Sequence, residues 1–132
     1  MKKIFFLLLI AMAVVSCSKK STSSEFSNKL TLGTGINPNN LFELTGAGTS
    51  FTAPAVLYFR LESAVDMGGS TVRIKIDQTD GTPISSQDYT NPQSYGHIFL
   101  SYFTITRTGS YVATGILVTG LKTVASINFT VN

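Results

Sequence analysis

The residue with the clearest chemistry in this chain is Cys17, the only cysteine among 132 residues. It follows two lysines, Lys2 and Lys3, and an unbroken apolar run over residues 4–15. As a helix this run rises about 18 Å, whereas the hydrocarbon of a bilayer is roughly 30 Å thick. A short apolar run after a basic start is typical of a secretory signal that is removed on maturation.

The four residues Val14, Val15, Ser16 and Cys17 resemble the lipobox of bacterial lipoproteins. The resemblance implies that the Cys17 thiol receives diacylglycerol, that residues 1–16 are removed, and that the new amine of Cys17 receives an acyl chain. Several acyl chains on one residue make a stable anchor, where a single chain binds marginally. The alternative is an ordinary secreted protein with a cysteine near its cleavage site. With Cys17 acylated, no thiol remains for a disulfide, a metal site or a nucleophile, and we expect no cofactor besides this lipid.

The remaining polar residues give little indication of catalysis. The chain contains no Gly-x-Ser-x-Gly elbow, HExxH helix, phosphate loop or dinucleotide fingerprint. The only histidine, His97, begins a predicted strand, and a lone histidine is more often a surface or hydrogen-bonded residue than a catalyst. Calcium needs several converging oxygens, whereas Asp77, Asp80 and Asp88 lie in a turn-rich region where aspartates usually form turns. We therefore predict no catalytic residue, no metal site and no enzymatic activity.

The segment best suited to binding is residues 85–96, which is long for a connection between strands. It contains Tyr89 and Tyr95 beside the amide side chains of Gln87 and Asn91. Tyrosine offers a flat apolar face and a hydroxyl, which suits contact with sugars or proteins. We therefore predict Tyr89 and Tyr95 as binding residues. The alternative is an edge strand with a turn at Asn91, in which both tyrosine rings cover the core.

Three segments position these residues: a signal over residues 1–16, the lipidated Cys17 with a Ser-rich linker to residue 28, and a domain over residues 29–132. The linker is polar and nearly lacks apolar residues, so we expect a flexible tether. The formal charge of +3 arises from the signal and linker, because residues 29–132 carry six basic and six acidic side chains. A neutral domain presents no basic face, so no nucleic acid partner is expected.

The domain is predicted to be all-β, because Thr, Val, Ile, Phe and Tyr are abundant and glycine recurs at short intervals. Apolar and polar residues alternate over residues 55–62 and 71–77, which predicts one buried and one solvated face. Residues 97–106 are apolar on both faces, so their register stays open. Further strands are predicted at residues 29–33, 41–45, 110–118 and 123–131. The predicted core positions are Leu57, Phe59, Leu61, Val72, Ile74, Ile76, Phe99, Phe103, Ile105, Ala125, Ile127, Phe129 and Val131.

Glycine-containing turns separate the predicted strands. Residues 66–69 and the dipeptide Asp80-Gly81 suit tight turns, because glycine adopts positive φ without steric cost. The turns at residues 107–109 and 119–122 are short, so the last three strands are expected to be sequential and antiparallel. Seven or eight short strands in about 100 residues indicate an antiparallel β-sandwich. A small closed barrel is the alternative.

The end of the chain resembles the final two strands of bacterial immunoglobulin-like domains. The resemblance lies in Gly-Ser-Tyr-Val-Ala at residues 109–113 and in the alternating strand at residues 124–131. It implies an immunoglobulin-like β-sandwich in which Tyr111 is a tyrosine corner; the alternative is an ordinary half-buried strand tyrosine. The chain has no tryptophan and no disulfide pair, which departs from antibody-type domains.

These features lead to an expected function at the bacterial cell envelope. The chain is expected to attach to the membrane through its lipid and to act as an interaction module that recognises a protein or glycan partner. The alternative is a structural or accessory subunit of an envelope assembly that pairs through sheet edges. Ser18, rather than aspartate, follows Cys17, which by resemblance to the sorting pattern of Gram-negative lipoproteins favours the outer membrane. Periplasmic and surface exposure both remain open.

Overall fold

The computed structural model describes residues 25–132, so Cys17, the signal and most of the linker lie outside the described residues. Two short 3₁₀ turns cover Gln93–Tyr95 and Thr119–Leu121. The strands are β1 (Lys29–Gly33), β2 (Gly35–Asn37), β3 (Asn40–Thr45), β4 (Ser50–Phe51), β5 (Ala55–Glu62), β6 (Thr71–Gln78), β7 (Pro83–Thr90), β8 (Ile98–Ile105), β9 (Gly109–Leu117) and β10 (Lys122–Val131).

The strands form two packed sheets and a small hairpin. One sheet has the order β1-β5-β8, the second has the order β4-β10-β9-β6-β7, and β2 pairs with β3 alone. All neighbours are antiparallel except β4, which runs parallel to β10. The sheets end in open edge strands, so the described chain is an all-β sandwich and not a closed barrel.

The core lies between the three-stranded and the five-stranded sheet. The alternation predicted for β5 and β6 is confirmed, because Leu57, Phe59 and Leu61 face Val72, Ile74 and Ile76 inside the sandwich. Each such side chain contributes roughly 1.5–3 kcal/mol when it leaves water. Other predicted core positions are confirmed as well: Phe99, Ile105, Phe129 and Val131 are buried, and Phe103, Ala125 and Ile127 are partly buried against the core.

An irregularity in β10 adds one core residue that the alternating pattern does not predict. The pairing of β10 with β9 shifts between Thr123 and Ala125. A bulge inserts an extra residue and reverses the inward and outward order on one side of it. Val124 is therefore buried although its neighbour Ala125 also lies against the core.

The predicted order of the last three strands is wrong at one point. β9 and β10 are antiparallel neighbours, but β8 belongs to the other sheet, beside β5. The short connection through Arg107 and Thr108 crosses from one sheet to the other instead of forming a hairpin. A hairpin turn within one sheet and a short crossing between two sheets have the same glycine-rich composition, so the sequence does not distinguish them.

The first described residues are attached to one end of the sandwich, which we call the entry end. The Phe26 ring stacks on His97 with centroids 4.4 Å apart. The Ser27 amide donates to Glu62 Oε1 at 2.8 Å, and the Ala64 amide donates to Asn28 Oδ1 at 2.9 Å. The last residues of the predicted linker therefore contact the domain. The opposite end, which contains Ile105 and Gly109, is called the far end.

Candidate functional site

The segment predicted as a binding loop, residues 85–96, is mostly an edge strand. β7 pairs with β6 from Thr90 opposite Thr71 to Pro83 opposite Asp77, and no further strand within residues 25–132 flanks it. The remainder forms a turn at the entry end, where the Met67 amide donates to the Gly96 carbonyl at 2.9 Å. This arrangement is the edge-strand alternative, and it directs the turn toward the linker.

The two predicted binding residues lie in different surroundings. Tyr89 is partly buried against the core, with its ring 5.3 Å from that of Phe99 and its hydroxyl donating to Gln87 Oε1 at 2.9 Å. Tyr95 lies in the 3₁₀ turn and contacts the Phe42 ring edge-on at 5.1 Å. The structure therefore places one tyrosine between the sheets and the other outside them.

A groove of about 440 Å³ opens between β7 and β8, which are edge strands of opposite sheets. We call it the side groove. A smaller cavity of about 210 Å³ shares Ile84, Thr104 and Ile105 with it and continues toward Tyr111 at the far end. Among the described residues, those that line the side groove are all apolar or uncharged polar, and they include Ile76, Ile84, Gln87, Tyr89, Phe103 and Thr104.

A second depression, of about 400 Å³, lies on the outer face of the three-stranded sheet. We call it the outer patch; it is lined by Ile36, Leu41, Tyr58, Tyr95, Leu100, Ser101 and Tyr102. The Tyr58 and Tyr102 rings are 5.7 Å apart, and Leu41 and Tyr102 remain 61% and 59% exposed. Sequence reasoning missed this patch, although the apolar character of both faces of β8 was a signal for it.

Strand β8 connects the two depressions. Tyr102 lines both of them, and four of the five tyrosines of the chain, namely Tyr58, Tyr89, Tyr95 and Tyr102, lie in the two linings. In the part of the chain that the structure describes, no charged side chain lines either depression. Such a surface offers ring faces and hydroxyls but no ionic contact, which suits a neutral partner such as a sugar or a polypeptide.

The aspartates considered as metal ligands have other partners. Asp88 forms a bidentate pair with Arg73 at 2.7 and 3.1 Å, and hydrogen bonds from this guanidinium lower the pKa of Asp88. The Thr82 amide donates to Asp80 at 2.9 Å and lowers the pKa of Asp80. Asp77 lies 3.6 Å from the Lys75 ammonium. Within residues 25–132, no three His, Cys, Asp or Glu side chains are grouped to hold a metal ion.

His97 and Glu62 both form contacts at the entry end. His97 Nδ1 lies 2.9 Å from the Ser63 carbonyl oxygen, and because a carbonyl only accepts, Nδ1 carries the proton. Glu62 accepts from the Ser27 amide and pairs with Arg60 at 2.6 Å. The Ser27 amide is the largest cause that lowers the pKa of Glu62, and Arg60 adds to it. These contacts attach the start of the domain to the sandwich.

Tyr111 has the geometry of a tyrosine corner. Its hydroxyl donates to the Arg107 carbonyl at 2.7 Å, four residues upstream. The ring is only 2% exposed and stacks on Phe129, with centroids 5.4 Å apart. The buried ring and the hydrogen bond from its hydroxyl to the upstream backbone stabilise the connection that crosses from β8 to β9.

Comparison with known proteins gives no family. No protein-family model matches the chain, and no curated protein matches it. In the described part of the chain, no helix has the length and apolar character that crossing a membrane requires.

Proposed function

We propose that this protein is a non-catalytic, lipid-anchored interaction module of the bacterial cell envelope, which recognises a protein or glycan partner through the surface around β8. The observation that carries the proposal is the gathering of four tyrosines in two uncharged depressions on either side of one edge strand. Tyrosine contributes large contact area at low conformational cost, and it is enriched at contact surfaces.

The position of the chain start supports this assignment. Phe26 and Ser27 are held at the entry end, and lipidation of Cys17 places that end toward the membrane, which we assign to the outer membrane. The side groove reaches Ile105 at the far end, and the smaller cavity beside it continues to Arg107 and Tyr111. A partner that approaches from outside the membrane therefore meets the groove before it meets the anchor.

The immunoglobulin-like resemblance has two supports. The order β1-β5-β8 against β10-β9-β6-β7 corresponds to strands A-B-E against G-F-C-C′ of immunoglobulin-type sandwiches. Tyr111 occupies the start of β9, where such domains carry their tyrosine corner. A fold of this kind carries many functions, so the binding assignment rests on the surface and not on the fold.

The test is capture of envelope proteins and envelope glycans by variants of the two depressions. Tyr102→Ala and Tyr89→Ala are expected to weaken capture at least about tenfold, because aromatic anchors dominate contact energies. Tyr102 is largely exposed, so Tyr102→Ala should leave the unfolding temperature unchanged. Val65→Ala is the matched control, since Val65 is exposed outside both linings. Equal capture by all four proteins would contradict the assignment.

A structural or accessory subunit that pairs through sheet edges is the second candidate. It is favoured by β8, an edge strand of eight residues whose outer side pairs with no strand of residues 25–132. The two candidates differ in stoichiometry. An assembly subunit is expected in a large native envelope complex of fixed composition, whereas a recognition module exchanges with free partner.

A further inference from the structure

We propose that the side groove accepts an extended, uncharged polypeptide strand of a second protein, which adds to the free edge of β8 and inserts an apolar side chain at every second position between the sheets. This inference rests on the proposed function and names the chemistry of the partner. Strand addition to an open sheet edge is a general mode of peptide recognition, in which the backbone gives affinity and alternate pockets give specificity.

β8 differs from the other sheet edges in lacking protection. Edge strands are commonly protected by charges, proline or short length. β7 carries Pro83 and the Arg73–Asp88 ion pair, β1 begins with Lys29, and β4 has only two residues. β8 has eight residues, Ile-Phe-Leu-Ser-Tyr-Phe-Thr-Ile, without a charge, proline or glycine. It is therefore the long edge that is open to another strand.

The lining of the side groove restricts which side chains the added strand can carry. Its inner surface includes Ile76 and Phe103, and Phe103 is only partly buried although it faces the core side. A charged side chain inserted there would lose its hydration without a partner, because the lining contains no charge. Successive side chains of a strand point to opposite faces, so the occupant needs an apolar residue at alternate positions only.

A second copy of this chain does not meet the requirement. Its own β8 could pair by backbone, but Phe99 and Ile105 of that copy are already buried in its own core and cannot enter the groove. Residues 18–24, Ser-Lys-Lys-Ser-Thr-Ser-Ser, contain no apolar side chain to insert, and the apolar run over residues 4–15 is removed from the mature chain that the proposed function implies. We therefore assign the groove to a segment of another protein, one whose apolar side chains are not already buried in a core of that protein.

The experiment uses a synthetic octapeptide, acetyl-(Thr-Val)₄-amide, added to the full chain, with amide hydrogen exchange as the measurement. Exchange across β8 is expected to slow about tenfold when the free peptide is about nine times its dissociation constant. The same octapeptide with the Thr at its fifth position replaced by Pro is the control, because proline removes a backbone donor. If the β8 amides exchange at unchanged rates when acetyl-(Thr-Val)₄-amide is at its solubility limit, the proposal is overturned.

Two matched variants locate the effect. Ile84 lines the groove and is 45% exposed, whereas Leu121 is 68% exposed outside it. Ile84→Lys should abolish the slowing and Leu121→Lys should preserve it. Equal slowing in both variants, or protection of β8 that depends on protein concentration without peptide, overturns the proposal. If β8 stays unprotected while Tyr102→Ala still abolishes partner capture, the strand inference fails and the interaction module stands.

Discussion

At the scale of single residues, tyrosine serves two different purposes in this domain. Tyr111 is enclosed, with its ring on Phe129 and its hydroxyl on the Arg107 carbonyl. Tyr102 exposes most of its ring at the edge of β8. The first stabilises the crossing between sheets, while the second offers area to a partner. Substitutions should therefore separate stability from binding.

Tyr111→Phe should reduce the free energy of unfolding by about 1–3 kcal/mol, because the Arg107 carbonyl loses its donor while the ring still fills its place. Chemical denaturation followed by circular dichroism measures the change. Tyr102→Phe is the matched control and should have little effect. If the two variants were equally stable, the Tyr111 hydroxyl would have no structural role.

Glu62 predicts a pH dependence at the entry end. Its pKa lies below the ordinary value of 4.5, chiefly because the Ser27 amide donates to the carboxylate. A lowered folded-state pKa adds stability above the unfolded pKa, and this stability is lost as the pH falls through the folded pKa. The unfolding temperature of the wild type should therefore exceed that of Glu62→Gln at pH 7, and the difference should disappear in acid. A difference that is constant with pH would contradict this assignment.

At the scale of elements, the sequence predicts strands where one face is clearly apolar. The alternation in β5 and β6 specifies their buried side chains, and it specifies their bounds except that β6 continues by one residue to Gln78. β7 reads Pro-Ile-Ser-Ser-Gln-Asp-Tyr-Thr and lacks that alternation, because an edge strand is solvated along much of its length. β2 and β4 have three and two residues, too few for a periodic signal. The outer patch was missed because it combines separate elements that only the fold brings together.

The distance between the sheets depends on Gly115 in β9. A methyl group at this position would lie 2.7 Å from both Leu61 methyl carbons, and Leu61 belongs to the opposite sheet. Gly115→Ala should therefore cost about 1–3 kcal/mol through overpacking. Gly48→Ala is the control, since no atom lies within 4 Å of the added methyl group. Adding Leu61→Val to Gly115→Ala should recover part of the loss, and an additive double variant would contradict the contact.

At the scale of the whole molecule, the domain has a direction. The chain enters beside His97 and Glu62, and the side groove runs to the opposite end beside Tyr111. An anchor on Cys17 would fix this direction relative to the membrane. The edge of β8 would then lie along the side of the domain. A strand that pairs with it would have its axis along β8, between the entry end and the far end.

The anchor itself is tested by Cys17→Ala. The wild type should partition into detergent, and the variant should remain in the aqueous phase, because the variant lacks the residue that carries the proposed acyl chains. Mass spectrometry of the wild type should find residues 1–16 removed and the acyl chains on Cys17. Persistent membrane association of a processed Cys17→Ala protein would contradict the lipoprotein assignment.

The stacking of Phe26 on His97 would limit how far the domain can move from an anchor on Cys17. Nine residue steps separate Cys17 from Phe26. At 3.3–3.6 Å for each step, a fully extended chain spans at most about 30 Å. If Phe26 were released and the chain free to Lys29, the limit would rise by about 10 Å. With an anchor on Cys17, this ring contact and the Ser27 and Asn28 contacts beside it would set the distance that the domain can reach from the membrane, and so the thickness of the layer in which it could meet a partner.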